Sequence, residues 1–341
     1  MTNDRRQRPA SLPEQARRKA MPSWTAPMLA TLSHQHFSAD SWIFERKLDG
    51  QRCLVFCRGS QSSICSRNRK LQNAYYPEIL DAIAGIEVEC ILDGELVTFA
   101  RGVTSFSRLQ KRMHIANPGK DLCKRYPVVL YVFDLLHLSG HDLTQVPLRE
   151  RKKLLRQQLT FNQTIRYLPH INCDGESYLK MACNKGWEGV IAKQADSRYH
   201  HSRSRQWLKF KCNNGQELVI GGYTDPQGKR NGFGALLVGY WQYQRHGNSL
   251  CYAGKVGTGF SNDFLDWFQR RMAHYQRKTS PFTDLTEKIS GVHWITPRFV
   301  GEFAFTEWTD KGRLRHPRFL GLRKDKPARQ VVREQAVPEQ G

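Results

Sequence analysis

The sequence lacks the features that would direct a chain across a membrane. No apolar run approaches the length of about 20 residues that a bilayer-spanning helix needs. Segment 1–20 is rich in Arg, Pro and Gln and contains no apolar stretch of the kind found in a secretory signal. The nine cysteines are scattered without a C-x-x-C pair, which argues against a structural zinc site or a disulfide framework. These absences predict free thiols and a reducing, cytosolic compartment.

Acidic residues are few beside the basic ones. The chain has 31 Asp and Glu against 53 Lys and Arg, a formal net charge of +22. This surplus favours a polyanionic partner, because a basic group placed on a phosphate releases a condensed counterion. The alternative is a charge that serves only solubility, although a soluble domain needs much less. The N-terminal 21 residues are predicted to be a disordered basic tail.

A length of 341 residues exceeds one compact core, so two domains are expected. In the first part of the chain, alternating apolar segments predict strands, and amphipathic segments between them predict helices. The mixture is typical of an α+β domain with antiparallel sheets. The predicted strands cover residues 42–44, 53–56, 91–99, 128–136 and 189–193, and the predicted helices cover residues 77–85, 148–159 and 176–185.

The pattern changes after residue 213. Strand follows strand over residues 217–223, 233–243, 250–256 and 299–305, with one helix near residues 263–274. Such a series is typical of a small Greek-key barrel of the OB type. The predicted organisation is a tail at 1–21, a first domain at 22–213, a barrel domain at 214–326 and a flexible C-terminal tail at 327–341.

Charged residues recur where the predicted strands end. The first such segment, 45–52, could by itself be an ordinary hairpin with a charged tip. Later segments change this interpretation, because charged groups at the ends of half-buried strands would meet in one cleft. The segments are Glu45-Arg46-Lys47-Leu48-Asp49-Gly50-Gln51-Arg52, Ser66-Arg67-Asn68, Asp93-Gly94-Glu95, Phe133-Asp134, residues 188–193, residues 207–211 and Arg323-Lys324-Asp325-Lys326.

In this order, the segments resemble the motifs of the covalent nucleotidyltransferases, which include ATP-dependent DNA ligases, RNA ligases and mRNA capping enzymes. Four further segments resemble the ligase domain of bacterial ligase D, the non-homologous end-joining ligase, and its stand-alone relatives. They are residues 27–31, 219–224, 254–260 and 314–319, and the resemblance extends from about residue 22 to residue 326.

The resemblance implies a nucleotidyltransferase domain, with ATP-grasp-like antiparallel sheets and helices, followed by an OB-fold domain. It implies an ATP-dependent DNA ligase that seals 5′-phosphate/3′-hydroxyl breaks in duplex DNA through lysyl-AMP and DNA-adenylate intermediates, in DNA repair or end joining. The implied cofactors are ATP as AMP donor and Mg²⁺, for which Mn²⁺ could substitute. Duplex DNA with nicks or ends and the protein Ku are the implied partners of a monomer in the bacterial cytoplasm, associated with the nucleoid.

The resemblance also assigns the chemical steps to residues. Lys47 is the nucleophile that keeps AMP as a phosphoramidate, and nearby cations and a bound metal are expected to lower its pKa because only the neutral amine attacks. Glu188 is the metal ligand, since Mg²⁺ prefers oxygen. Lys209 and Lys211, two apart on a strand, neutralise the α-phosphate. Without the resemblance, these two lysines could be solvated.

A second group of residues is assigned to the nucleotide and to the broken strand. Phe133 would stack on adenine, although without the resemblance a core position is favoured. Glu95 would contact the ribose, although it could lie exposed on an edge strand. A guanidinium fork suits a phosphate. The remaining assignments are Glu45 beside adenine, Arg52 and Arg67 on the ribose and the 5′-phosphate, and Lys193 among the nucleotide-binding residues.

Arg323, Asp325 and Lys326 lie far along the chain, in the predicted barrel domain. The resemblance makes this domain a lid that meets the pyrophosphate leaving group and then turns its other face to DNA. The loop over residues 96–104 is short and could differ from the family. Ligase D typically carries polymerase and phosphoesterase domains, so the chain could be a stand-alone ligase or a domain of a longer protein.

Two other functions share part of this pattern. An RNA ligase or a capping guanylyltransferase would keep Lys47 and most motifs, but residues 219–224, 254–260 and 314–319 resemble DNA ligases. A non-catalytic DNA-binding module with a decayed site would have lost the lysine or a carboxylate, and Lys47, Glu95 and Glu188 are all present.

Overall fold

The computed structural model describes residues 12–113, 115–212, 215–226, 228, 231–244 and 247–334. The strands in these ranges are β1 Arg17–Arg18, β2 Leu29–Leu32, β3 Ala39–Lys47, β4 Gln51–Cys57, β5 Ser63–Ser66, β6 Cys90–Val97, β7 Phe99–Ala100, β8 Val103–Thr104, β9 Val129–Leu138, β10 His141–Asp142, β11 Ile165–Tyr167, β12 His170–Cys173, β13 Gly189–Gln194, β14 Arg203–Lys211, β15 Gly215–Thr224, β16 Leu236–Gln244, β17 Gly247–Val256, β18 Gln276–Arg277, β19 Val292–Ala304, β20 Glu307–Trp308, β21 Leu314–Arg315 and β22 Arg318–Leu322. The α-helices are α1 Pro77–Ala84, α2 Phe106–Leu109, α3 Lys120–Arg125, α4 Leu148–Gln158, α5 Gly175–Asn184 and α6 Asn262–Ala273, and short 3₁₀ helices cover Asn73–Tyr75 and Ala328–Gln330. None of the helices in the described part of the chain combines the length and the apolar composition needed to cross a lipid bilayer.

The chain divides into two compact units, and the division follows Cys212. The first unit contains two sheets. One has the order β1-β10-β9-β6-β4-β5, with β11 parallel to β9, and the other has the order β12-β3-β13-β14-β2. Most neighbouring strands are antiparallel, so the predicted α+β class with antiparallel sheets is confirmed.

The two sheets of the first unit pack face to face around one apolar core. Leu54 and Phe56 of β4 lie in this core with Ile43 of β3 and Trp207 of β14. The residues between them in β4 point to the opposite side of the sheet, as strand alternation requires, and lie in a second core with α1 and α4. The side chains of the cleft therefore come from the facing surfaces of the two sheets.

Helix α5 covers the outer face of the second sheet. The Asp174 carboxylate accepts a hydrogen bond from the Ser177 backbone N–H at 3.2 Å and caps the first turn. Gly186, with φ 68°, follows the last turn and allows the chain to leave the helix. Leu179 and Ala182 pack on Phe44 and other residues of β3, β13 and β14. This packing supports the strands that carry the candidate site.

The second unit is a strand-rich fold with one long helix. Its main sheet has the order β17-β16-β15-β19-β18, and β22 also pairs with β19. Leu265, Phe268 and Met272 of α6 are buried against Phe233 and Phe319. The predicted OB-type domain is confirmed, although the short strands β18 and β20–β22 were not predicted.

Both predicted tails are wrong where the structure describes them. β1 pairs with β10, the Lys19 N–H donates to the Gly140 carbonyl at 2.9 Å, and Met21 is buried in the core between the sheets. At the other end, Val331 is fully buried and Val332 bridges to Trp241. Charge and proline content did not reveal these contacts because backbone pairing and two apolar side chains create them. Residues 1–11 and 335–341 of the predicted tails lie outside the described residues.

The prediction of free thiols is wrong for one pair. Cys183 of α5 and Cys212 after β14 form a disulfide, with Cα atoms 5.2 Å apart. The cysteines are 29 residues apart in sequence, and only the packing of α5 on the second sheet brings them together. The other seven cysteines, all in described segments, are free.

The ordered N-terminal segment predicts the effect of a truncation. A chain that begins after residue 21 should unfold at a temperature about 5 °C lower, since burial of Met21 contributes about 2 kcal/mol and a domain of this size loses about 2–4 °C per kcal/mol. Circular-dichroism melting measures this shift. A chain that begins at residue 12 keeps every described contact and should melt with the full chain. Equal melting temperatures for all three would contradict the packing role.

Candidate active site

Lys47 lies at the end of β3, where the chain turns into β4. Its Nζ hydrogen bonds to Oε1 of Glu188, and both side chains are partly exposed, at 18% and 32%. Burial alone would lower the pKa of Lys47, but Glu188, with smaller contributions from Glu95 and Asp49, raises it above its ordinary value. Among the side chains around the amine the carboxylates prevail, and the predicted lowering of this pKa by nearby cations and a bound metal stays a prediction. In this state the amine is protonated and cannot attack.

Gly189 sets the distance between β13 and β14. Its φ is +149°, and a Cβ at this position would lie 2.0 Å from the Phe210 carbonyl oxygen and 3.0 Å from the Lys211 Cα. No other residue could occupy the position without moving β14 away. Gly189 pairs with Lys47 on one side and with Lys211 on the other. Glycine thus allows Glu188, the residue before it, to lie beside Lys47.

The strand register places the predicted phosphate lysines on the face that carries Lys47. One row across the second sheet is Lys47, Gly189 and Lys211, and the next row is Glu45, Ile191 and Lys209. Residues two apart on a strand share a face, so both rows point to the same side of the sheet. Lys209 and Lys211 are half-buried there. The structure therefore brings Lys47, Glu45, Lys209 and Lys211 together on one surface.

Phe133 of β9 faces this surface from the first sheet. Its ring is buried and lies edge-on to Trp207, with centroids 6.4 Å apart. The Arg52 guanidinium is 4.5 Å from the Phe133 centroid, and the Lys193 Nζ is 4.3 Å from it. Phe133 is thus both a core residue and an aromatic surface in contact with cations.

Arg52 is held in place by a buried carboxylate. Its Nε and Nη2 donate to Asp93 at 2.5 Å and 2.6 Å, and the Tyr199 hydroxyl donates to the same carboxylate at 2.6 Å. Burial alone would lower the pKa of Arg52, but Asp93 raises it further above its ordinary value. Asp93 was not among the predicted site residues, although it is the first residue of the Asp-Gly-Glu segment. Glu95 lies opposite Arg52 in the register.

Arg67 follows β5 directly. Because Ser66 pairs with Cys53 in an antiparallel register, Arg67 comes next to Arg52 at the edge of the first sheet. The register therefore brings the two arginines that the sequence predicted for the ribose and the 5′-phosphate into neighbouring positions.

Glu45 has two buried cations beside it. Lys152 of α4 donates to its Oε1, and the Lys193 Nζ lies 2.6 Å from its Oε2. Burial alone would raise the pKa of Glu45, but the two lysines lower it. Burial lowers the pKa of Lys193 to about 8. Lys152 was missed, because it lies in a basic amphipathic helix where the sequence pattern suggests a solvated lysine.

The residues predicted for the lid form a charge network within the second unit. Arg323 donates to both oxygens of Asp325 at 2.9 Å and to Glu302 at 3.2 Å. Lys326 pairs with Glu217 of β15. Burial alone would raise the pKa of Glu217, but Lys326 and Arg323 lower it. The three predicted residues are thus held together by carboxylates of their own unit.

Two family models match the sequence. One describes the ATP dependent DNA ligase domain and matches residues 27–211, and the other describes the ATP dependent DNA ligase C terminal region and matches residues 229–326. These ranges contain every predicted site residue.

Similar proteins agree with these matches. The multifunctional non-homologous end joining protein LigD of Pseudomonas aeruginosa is 35% identical over 334 residues, which cover 96% of this chain and 39% of that protein. The corresponding protein of Mycobacterium tuberculosis is 37% identical over 319 residues, covering 91% and 40%. A solved structure of mycobacterial DNA ligase D complexed with ATP and MES is 36% identical, with a TM-score of 0.65 over 91% of this chain and 98% of that one. The chain spans about two fifths of the length of the curated relatives.

His170, which lies opposite Glu45 in the register, predicts a pH dependence of stability. Burial, with the nearby Lys152, lowers its pKa from 6.5 to about 4. Because the unfolded chain binds the proton more tightly, stability should be complete above pH 6.5 and should fall as the pH drops from 6.5 towards 4. Urea unfolding at pH 7.5 and pH 5 should show a larger loss for the wild type than for His170→Gln. The exposed residue His34, changed to Gln, serves as the control, and equal losses in all three proteins would refute the assignment.

Proposed function

The chain belongs to the ATP-dependent DNA ligase family, and from this membership we propose that it seals 5′-phosphate/3′-hydroxyl breaks in duplex DNA through a lysyl-AMP on Lys47. The observation that carries the proposal is the shared face on which Lys47 lies with Lys209 and Lys211, next to Glu188. A nucleophilic amine beside a carboxylate and two further cations is the arrangement that transfer of a nucleotidyl group to lysine requires.

Glu188 fits the role of a magnesium ligand. Its carboxylate is partly exposed, and within the described ranges no three His, Cys, Asp or Glu side chains gather into a cation cluster. Mg²⁺ is usually held by one or two protein carboxylates together with substrate phosphates and water, so a single carboxylate beside the phosphate lysines is consistent with it, and Mn²⁺ would bind in the same way. When bound, the ion would neutralise phosphate charge.

The first chemical step activates Lys47. While the Glu188 carboxylate accepts from the ammonium, the nitrogen lone pair is occupied by a proton. A cation held by Glu188 would take that partner from Lys47, so the pKa of the amine would fall and its proton would pass to solvent water. The neutral Nζ attacks the α-phosphorus, a nitrogen–phosphorus bond forms and pyrophosphate leaves. Lys209 and Lys211 neutralise the developing charge on the phosphate oxygens.

The nucleotide and the broken strand are bound by the residues that face Lys47. Phe133 stacks on the adenine with Glu45 and Lys193 beside it, and Glu95 contacts the ribose. Arg52 and Arg67 bind the ribose and the 5′-phosphate of the break. AMP then moves from Lys47 to that phosphate, and the 3′-hydroxyl displaces AMP to close the backbone. Positioning and charge neutralisation account for most of this catalysis.

The second unit acts as a lid in the first step. Its cationic residues Arg323 and Lys326, together with Asp325, engage the pyrophosphate, and the unit then turns to DNA for the later steps. The match of the C-terminal family model over residues 229–326 supports DNA, rather than an RNA cap, as the substrate. DNA repair by end joining, Ku as a partner, a monomeric state and a nucleoid-associated place in the bacterial cytoplasm belong to the same proposal, because the relatives named above are end-joining proteins.

A covalent labelling experiment tests the nucleophile. With α-labelled ATP and magnesium, the wild-type protein should retain label on a denaturing gel, and Lys47→Ala should retain none, because the only bond to AMP is on that nitrogen. Lys153→Ala removes an exposed lysine and should label fully. Label from GTP instead of ATP would favour a capping enzyme. Absence of label from ATP, in protein first stripped of bound AMP, would reject the proposal.

The lid assignment predicts a separation of steps. Asp325→Ala and Lys326→Ala should slow lysyl adenylation at least about tenfold, because each removes a contact to the leaving group, while a pre-adenylated nick is still sealed. Single-turnover assays of both steps measure this. Lys278→Ala, an exposed position in the same unit, is the control. Equal loss of both steps would contradict the lid.

A further inference from the structure

Lys152 is a buried lysine outside every family-like motif. Its side chain is 2% exposed and its Nζ has three acceptors, Oε1 of Glu45, the Leu168 carbonyl at 3.2 Å and the Phe133 carbonyl at 3.4 Å. The ammonium has three N–H donors, so every donor has a partner. Such burial costs desolvation and side-chain entropy, and a surface position on α4 would avoid both. The arrangement therefore needs an explanation beyond the solubility of a basic helix.

Two of the three acceptors of Lys152 belong to the two sheets that face each other. Glu45 lies on β3 of the second sheet, and Phe133 lies on β9 of the first. Lys152 thus connects the strand that carries the reactive lysine with the strand that carries the aromatic ring. Its contacts are with Glu45, the two carbonyls and the Tyr167 ring, so its effect should concern the base rather than the phosphates.

Glu45 contacts two buried lysines, Lys152 and Lys193. It is the only carboxylate that contacts both of them among the ion pairs of the described residues. Lys193, its second partner, also lies over two rings, with its Nζ 4.3 Å from the Phe133 centroid and 3.9 Å from the Trp207 centroid. If Lys152 were removed, Lys193 would become the remaining partner of Glu45. The carboxylate and the ammonium over the aromatic surface would then be free to move together.

We propose that Lys152 is a positioning residue for nucleotide recognition, which holds Glu45 ionised and in place and, through it, holds Lys193 over Phe133. The proposal rests on the proposed function, in which these residues contact adenine. An ionised carboxylate only accepts hydrogen bonds, so it favours a base edge that presents an amino group over one that presents a carbonyl oxygen. Lys152 therefore supports both the affinity for ATP and the preference for ATP over GTP.

The neighbouring Arg151 provides a matched control on the same helix. It is fully buried, donates to both oxygens of Asp134 at 2.7 Å and 2.8 Å, and also donates to the carbonyls of Val146 and Ser197. Among the described residues, these hydrogen-bond partners of Arg151 do not include Glu45 or Lys193. A change at Arg151 therefore perturbs a buried ion pair of the same helix without removing a contact between Lys152, Glu45 and Lys193.

The experiment measures ATP and GTP affinity by titration calorimetry in the full chain carrying Lys47→Ala, so that no covalent step follows binding. Adding Lys152→Met should weaken ATP binding about tenfold or more, as expected for loss of a charged hydrogen-bonding partner, and should leave GTP binding almost unchanged. Lys152→Arg should restore ATP binding to within about threefold, because it keeps the charge and the donors. Arg151→Lys should lower the melting temperature and leave both affinities unchanged.

A second measurement identifies the route. If Lys152 acts through Glu45, then Lys152→Met added to Glu45→Gln should weaken ATP binding much less than it does alone. Lys152→Met could lower the melting temperature as Arg151→Lys does and leave the ATP affinity unchanged. That result would show a purely structural role and would overturn the proposal. An equal loss of ATP affinity and GTP affinity in Lys152→Met would also overturn it. So would a Lys47→Ala reference chain that binds no ATP at all. Failure of wild-type protein to label would instead reject the proposed function, and the affinities would still decide the role of Lys152.

Discussion

The close approach of β13 to β14 at Gly189 is the constraint on which the candidate site depends. A Cβ at this position would overlap the backbone of β14, so any other residue would separate the two strands. Separation would move Lys211 away from the row that contains Lys47 and would shift the backbone that carries Glu188. The positions of Lys47, Glu188 and the predicted phosphate lysines thus depend on one backbone contact, and helix α5 packs on the opposite face of the sheet.

The ion pair at the end of β3 gives the site two states. With Glu188 as its acceptor, Lys47 carries a proton and is chemically inert, and the ion pair satisfies two partly buried charges. In the proposed function, a cation held by Glu188 would compete for the carboxylate that raises the pKa of the amine, and Lys47 would then become a nucleophile.

The sequence predicted those parts of the molecule that follow from local rules. Alternation placed the strand that carries Phe133 and the strand that precedes Lys47, and the two-residue spacing put Lys209 and Lys211 on one face. It did not predict contacts that depend on packing between distant segments. Lys152 and Lys153 are adjacent and chemically identical, yet the side chain of Lys152 is 2% exposed and that of Lys153 is 64% exposed. The Asp93 partner of Arg52, the Cys183–Cys212 disulfide and the ordered ends of the chain also arise from tertiary packing that no local pattern contains.

The same packing distinguishes two uses of buried charge on α4. A buried ion pair is weak support for stability, because the loss of hydration offsets most of the attraction. Arg151 and Asp134 form one bidentate pair of equal and opposite charge, which is sufficient to attach the helix to β9. Glu45 is instead shared by two ammonium groups, so that cluster carries an excess of positive charge in a desolvated place. Burial, with a smaller contribution from Lys152, lowers the pKa of Lys193 to about 8, so desolvation makes the charged form of this lysine costly. An apolar pair of similar volume would pack there without that cost, so the charges are better explained by recognition of a polar ligand than by stability.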